Sequence, residues 1–265
     1  MSRINFHTHT RLCKHADGEP VDYCREAVKQ GISVLGFSDH TPYPVKRWET
    51  VRMDVDQLPQ YVKWIEAARA EFPQLRIIQG MECEYDPAYS NFFKDVLMEE
   101  YGCRYLIGAA HSYLSRGGEW MGLYGYRMTD ENLHDYADYV VEAMSSGLYL
   151  FMAHPDVFGV SYEGWNAEAE ACCREICKAA VSIGLPLEIN GYGLRKKPKQ
   201  DSGAMRAPYP LEKFWEIAGE EGVKAVVSSD AHRPVDVWSN TDDCLAWAKR
   251  FGVEVVNEAL AEKFK

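Results

Sequence analysis

"NFHTHT", residues 5–10, closes a short apolar run with two imidazoles one residue apart. Residues i and i+2 of an extended strand point the same way, so His7 and His9 can face a single ion. Six further β-rich runs repeat the design, each ending abruptly in polar residues. After "RINF" (3–6) they are "VLGFS" (34–38), "LRIIQGM" (75–81), "RYLIGAA" (104–110), "YLFMA" (149–153), "PLEI" (186–189) and "VKAVVSS" (223–229). Amphipathic stretches with helix punctuation lie between them: 20–31, 54–72, 129–147, 166–184, 209–222 and 240–252. Pro20 suits a first turn and Gly31 a C-cap, Asp56 is available to cap the second helix, and Thr129 and Asn166 open the next two. Seven strand–helix steps call for parallel strands joined by helical crossovers, closing into a barrel, with a flat doubly wound sheet as the alternative.

In parallel α/β folds the carboxyl ends of the strands share one face, and sites are built there. The residues that follow the seven runs are His7 and His9, Asp39 and His40, Glu82 and Glu84, His111, His154, Asn190, and Asp230 with His232. Six of the eight histidines thus sit at strand ends, His15 lies in the first loop, and His134 falls mid-helix as a surface or packing residue. A lone strand-end histidine is more often a hydrogen-bonding residue than a ligand. Two i, i+2 pairs with single donors on the strands between them point to metal. The donors are imidazole and carboxylate with no thiolate, which suits zinc, iron or manganese. Seven histidines with Glu82 and Asp230 exceed the needs of one ion, so two or three divalent ions are expected, with Glu82 as a bridge.

Length and charge narrow the function. The 265 residues fit one domain spanning 1–265. A net charge of −11 argues against a nucleic-acid surface but leaves room for a small phosphorylated substrate, because bound cations invert the local potential. No apolar run approaches a membrane span, and "MSRINF" lacks the pattern of a secretory signal. Eight scattered cysteines without a Cys-x-x-Cys pair read as free thiols in a reducing cytoplasm. Oligomeric state is not legible.

The ordered set "HTHT", His15, "DH" at 39–40, Glu82, His111, "AHPD" and "SDAH" resembles the PHP (polymerase and histidinol phosphatase) superfamily, from residue 7 to about 234. The resemblance implies a distorted (β/α)7 barrel with three metal ions. It would give the first ion His7, His9, Glu82 and Asp230; the second Glu82, His111 and His154; and the third His15, His40 and His232. The implied chemistry is phosphomonoester hydrolysis by a metal-bridging hydroxide, with Glu82 and Asp230 as catalytic carboxylates that hold metal. The general acid is not identifiable. Asp17 and Asp39 are candidates, each better suited to orienting a histidine ligand.

After the sixth run comes "LEINGYGLRKKPKQDSGAMRAPYP" (187–210), a basic cluster in an acidic chain. It is either a solvated loop or a phosphate clamp, since guanidinium matches phosphate oxygens in a bidentate manner. The segment is similar to the histidinol-phosphate phosphatase branch, in which an arginine after this strand meets the substrate phosphate. Arg195 is the first candidate for that contact, with Arg206 and Arg116 behind it. The function expected is hydrolysis of L-histidinol phosphate in histidine biosynthesis. Alternatives are a PHP-type phosphoesterase for nucleotides or other small phosphate esters, an amidohydrolase-like hydrolase (such barrels often bridge metals with a carboxylated lysine where Glu82 stands here), and a non-catalytic domain of proofreading or scaffold type. The last is disfavoured because every ligand position is filled.

Overall fold

A computed structural model describes residues 2–265. The chain forms two compact units. The first gathers the residues up to Ile107 with Ser228–Ser239 and Asn257–Lys265; the second comprises Gly108–Val227 and Asn240–Val256.

In the first unit, strands β1 (Arg3–Asn5), β2 (Ile32–His40), β3 (Arg76–Glu84) and β4 (Tyr105–Ala109) form a sheet in that order. Helices α1 (Pro20–Lys29) and α2 (Leu58–Glu71) make the first two crossovers. The β1–β2 and β2–β3 pairs are parallel, as crossover connections require. Helix α1 starts where expected: Pro20 occupies the first turn, and the side chains of Glu19 and Asp22 each accept a backbone N–H of the other. The second helix is entered differently. A 3-10 turn, Val55–Gln57, precedes it, and the reciprocal cap is Asp54 with Gln57 rather than Asp56. Residues Phe92–Glu100, which carried no helical expectation, wind into a π-helix. The helix Asn257–Glu262 closes onto β1, where the Asn257 amide donates to the Ile4 carbonyl at 3.1 Å.

Tyr105 fastens this sheet from inside. Its hydroxyl donates to the carbonyls of Phe6 (2.7 Å) and Phe37 (3.2 Å), and its ring lies against Gly36 and Gly80. A Cβ on Gly80 would meet the ring at 2.6 Å and the Tyr105 carbonyl oxygen at 2.7 Å, so the absence of a side chain there is a packing requirement.

In the second unit, a hairpin of β5 (Ser112–Leu114) and β6 (Trp120–Gly122) precedes α3 (Asp130–Ser145) and α4 (Ala167–Ile183). Thr129 and Asn166 cap these helices as expected. Then follow β7 (Leu187–Asn190), the short helix α5 (Gly191–Arg195), a hairpin of β8 (Lys199–Asp201) and β9 (Ala204–Arg206), α6 (Glu212–Glu221), β10 (Lys224–Ser228), α7 (Thr241–Phe251) and β11 (Glu254–Val255). The order β11-β10-β7 makes a second sheet. The strand expected at 149–153 contracts to one residue. Met152 bridges in parallel to Gly108 and to Leu187, its N–H donating to Pro186 O at 3.0 Å. Pro186 has no N–H to return toward Leu150, so the ladder cannot lengthen. Trp215, Phe214, Phe158, Tyr136 and Phe151 are fully buried in this unit.

Gly80→Ala should lower stability by about 1–3 kcal/mol through overpacking against Tyr105. Gly117→Ala, whose Cβ would meet only Ser115 Oγ at 3.6 Å, should stay within about 0.5 kcal/mol of the parent. Urea unfolding of the two variants checks this, and equal midpoints would contradict the packing role of Gly80.

Candidate metal centre

Beyond Asn5 the first strand leaves the ladder, and Asn5 itself steers the exit. Its buried amide donates to Thr8 Oγ1 (3.0 Å), Ser229 Oγ (2.9 Å) and Val237 O (3.0 Å), while its carbonyl oxygen accepts from Ser229 N and His7 N. Thr8 then re-enters extended pairing. Its carbonyl accepts from Ser38 N, and it bridges in parallel to Ala231, with the neighbouring bonds His9 N–Ala231 O at 2.9 Å and Ala231 N–His7 O at 3.2 Å. His7 and His9 flank Thr8 and share a side. His40 and Glu82 are a register pair at the ends of β2 and β3, inside the strands rather than after them.

These exits bring His7, His9, His15, His40, Glu82, Asp230 and His232 together in the first unit. All but His15 are buried. His7 Nε2 lies 3.1 Å from His9 Nε2, 3.5 Å from Glu82 Oε2 and 3.6 Å from Asp230 Oδ1. His9 Nε2 lies 3.5 Å from Glu82 Oε2 and 3.1 Å from Asp230 Oδ1. An ion bound tetrahedrally at about 2.1 Å sets its donors roughly 3.4 Å apart, and these separations straddle that value. Glu82 Oε2 also meets His40 Nδ1 at 2.9 Å, so one carboxylate oxygen has three imidazoles around it.

A second observation also favours a cation. His15 Nδ1 is 2.8 Å from the Cys13 carbonyl, and His232 Nδ1 is 3.2 Å from the Asp230 carbonyl. A carbonyl only accepts, so both Nδ1 atoms carry the proton and both Nε2 atoms offer lone pairs. Those two lone-pair nitrogens lie 3.1 Å apart. Two acceptors at that distance repel unless a cation stands between them. A proton is poorly placed to serve: partial desolvation of the ring, with His232 and His9 nearby, pushes His15 down to about 4. Burial also lowers His232 and His40. His9 is the exception. Burial pulls it down, but Asp230 and Asp39 outweigh burial and hold it raised. Burial would raise Asp230, and His7 and His232 override that to keep it ionised. Positive charge is therefore favoured beside His9 and Asp230, and a divalent ion supplies it while leaving the imidazole neutral. The donor set fits transition-metal ions. Asp230 adopts φ 49°, a left-handed backbone on a non-glycine residue that costs about 1–3 kcal/mol and is sustained by its surroundings.

Asp39 holds His9 from behind: its Oδ1 is 3.5 Å from His9 Nδ1, and its Oδ2 accepts from Thr10 N at 3.1 Å and from the Thr10 hydroxyl. Asp17 holds its neighbour through the backbone instead, its N–H donating to His232 O at 2.8 Å. A thiol stands beside the expected imidazole and carboxylate donors. The sulfur of Cys13 and ring nitrogens of His15 and His232 all lie within 4.8 Å of one another, and Cys13 forms a similar group with His9 and Asp39. Its place in "HTRLCKH", two residues before His15, was the available signal.

In the second unit His111 and His154 pair, ring centroids 4.7 Å apart. His154 has φ 29°, and its N–H donates to Glu188 Oε2 at 3.1 Å. Glu188, fully buried, also accepts from Asn190 Nδ2 at 2.8 Å. Sequence reasoning passed over Glu188, although a carboxylate between Leu187 and Ile189 in a buried run was a visible anomaly. Asn190 Oδ1 accepts from Tyr192 N and Gly193 N and so nucleates α5, whose last residue is Arg195. Arg195 thus sits on a capped helical turn, half-buried, with its guanidinium 5.3 Å from the Tyr192 ring, and not on a solvated loop. Arg206 and Arg116 fit the phosphate role poorly. Arg206 spends its donors on Asp201, Ala207 O, Pro208 O and Tyr162 O, and exposed Arg116 pairs with Asp138 and Asp135. His134 bonds Glu168 at 2.9 Å and Cys172 at 3.3 Å, a surface contact as expected.

Comparison with known proteins adds to this geometry. A family model described as PHP domain matches residues 5–191. A protein from Deinococcus radiodurans named "Probable histidinol-phosphatase" is 32% identical over 238 residues, covering 87% of this chain and 86% of its own. A Schizosaccharomyces pombe protein of the same name is 26% identical, covering 94% of this chain and 87% of its own. The crystal structure of histidinol phosphate phosphatase from Lactococcus lactis, solved with zinc, L-histidinol and phosphate, superposes with a TM-score of 0.72 at 17% identity, over 96% of this chain and 95% of that one. That likeness establishes the fold, and the α/β class of PHP type expected from the sequence holds.

A His7→Ala/His9→Ala double variant should remain folded yet lose most of its metal. Elemental analysis of protein purified without chelator should give well over one equivalent for the parent. A metal content unchanged by the double substitution would contradict the assignment of these two residues.

Proposed function

The chain belongs to the PHP-domain family, and from that premise we propose that it hydrolyses L-histidinol phosphate to L-histidinol and phosphate with the help of two or three divalent ions, zinc, iron or manganese. The observation that carries the reading is the buried donor set His7, His9, Glu82 and Asp230, with separations close to those a four-coordinate ion imposes. The 32% identical relative named as a histidinol-phosphatase supports the choice of substrate.

His7, His9, Glu82 and Asp230 would hold one ion and His15, His40 and His232 another; His111 and His154, paired within the second unit, are the remaining expected donors. Divalent ions in such a centre supply an acidified water and neutralise charge that builds on phosphate oxygens. The protein's own part is positioning. Asp39 and the Asp230 carbonyl fix the rings of His9 and His232, so the coordinating nitrogens need not reorient during turnover. Glu82 gathers three imidazoles about one oxygen and is suited to bridging. Arg195, on its capped turn, reads the substrate phosphate in a bidentate manner. The nucleophile is water and no side chain is phosphorylated. The eight cysteines are all unpaired, which favours a reducing compartment and hence the cytoplasm.

Glu82→Gln should reduce turnover by orders of magnitude, because a neutral amide bridges two cations poorly. Hydrolysis in 18O-water should place one solvent oxygen in the released phosphate, and trapping a phosphorylated residue would contradict direct attack by water. Arg195→Ala should remove about 2–4 kcal/mol of a desolvated charged contact, roughly 30- to 1,000-fold in kcat/KM, with Arg195→Lys recovering only part. On a panel of phosphate esters histidinol phosphate should lead. A preference for nucleotides would leave the family standing and overturn the substrate.

A further inference from the structure

The strand exits that carry His40 and Glu82 are clasped by a residue belonging to neither strand. Arg52 lies in the segment between β2 and α2 and is only 3% exposed. One end of its guanidinium pairs with the Glu84 carboxylate at the tip of β3. Another nitrogen donates to the carbonyl of Thr41, the first residue after β2, at 3.3 Å. The cation lies against the rings of Trp48, 4.8 Å from its centroid, and Tyr43, at 5.5 Å, two rings that meet edge-on. Trp48 is held in the left-handed region, φ 55°, so the loop carries strain that these contacts sustain. The Tyr43 hydroxyl donates to the Glu84 carbonyl at 2.5 Å, tying the same loop to the same strand tip.

Thr41 and Glu84 are immediate neighbours of the metal-binding positions. Thr41 follows His40, and its N–H donates to the Glu82 carbonyl at 2.9 Å. Its hydroxyl lies 2.7 Å from Cys83 Sγ, and Glu84 stands two residues beyond Glu82. The β2–β3 ladder has its last register pair at His40 and Glu82. Among the described residues the last backbone bond between the two strands is the one from Thr41 N–H to Glu82 O, beside the place where two donors lie 2.9 Å apart. Arg52 takes over there, binding both chains one and two residues beyond the pair.

We propose that Arg52 is a positioning residue for the metal centre: through Glu84 and the Thr41 carbonyl it fixes the separation of His40 and Glu82, and so sets metal affinity. A buried ion pair that served only to hold the fold could be exchanged for an apolar pair of similar volume. Such an exchange would lose the tether to the Thr41 carbonyl, which no apolar side chain reproduces. The inference rests on His40 and Glu82 being ligands.

The test measures zinc affinity on chelator-stripped protein by competition with a chromophoric chelator, alongside the thermal midpoint, for the parent, Arg52→Met, Arg52→Lys, the double variant Arg52→Met/Glu84→Leu, and Glu82→Gln. Arg52→Met should weaken zinc binding about 10- to 100-fold, the scale seen for residues that orient ligands, and Arg52→Lys should fall between it and the parent. The double variant should regain thermal stability while its zinc affinity stays low. If Arg52→Met fails to fold, Arg52→Lys and the double variant decide. Parent-like affinity in the double variant would overturn the proposal and reduce the pair to a fold contact. Parent-like affinity in Glu82→Gln would overturn the ligand reading itself, a result distinguishable from failure at Arg52 alone.

Discussion

His15 and His232 present two imidazole lone pairs to each other across 3.1 Å, in a cluster that also buries Glu82, Asp230 and three further imidazoles. An arrangement of acceptors and anions so close calls for positive charge at its centre; desolvation disfavours a proton on His15, His40 and His232, while Asp230 and Asp39 favour one on His9. The rest of the first unit follows from that constraint. Strand exits must deliver donors to one place, their rings must be held by partners that accept only on the far nitrogen, and the backbone must tolerate the positive φ of Asp230.

The fold meets the constraint with short, rigid devices. Asn5 ends the first strand by binding three separate acceptors, and so turns the chain into His7. Tyr105 ties the carbonyls of Phe6 and Phe37 together through one hydroxyl, at sites where Gly36 and Gly80 leave room for its ring. Where the β2–β3 ladder ends at His40 and Glu82, a buried arginine continues its work. Each device is a polar group inside the protein held by several partners at once, the condition under which buried polarity specifies geometry rather than loosening it.

Much of this is legible in the sequence, for a definite reason. Ligand chemistry restricts residue types sharply, and parallel α/β folds put strand ends on a common face, so "HTHT", "SDH", "MECE" and "SDAH" stand out as candidate donors by residue type and position alone. What is not legible depends on contacts between distant residues. The run at 149–153 has the pattern of an ordinary strand, yet Pro186 beside it limits the ladder to Met152. Arg206 and Arg116 resemble Arg195 in residue type, and only their folded neighbours show that carboxylates and carbonyls already occupy them. Arg52 carries no motif, and Cys13 and Glu188 offer only a spacing and a lone carboxylate in an apolar run. Their importance lies in being buried against particular partners, which local sequence does not encode.

Anomalous X-ray scattering from crystals of the zinc-loaded protein, recorded on both sides of the zinc edge, reads whether the first unit's donors enclose cations. Anomalous peaks are expected about 2.0–2.2 Å from nitrogen or oxygen atoms of His7, His9, Glu82 and Asp230, with a further peak between His15 and His232. Saturating zinc with no peak among these residues, or peaks only on surface side chains, would contradict cation binding there.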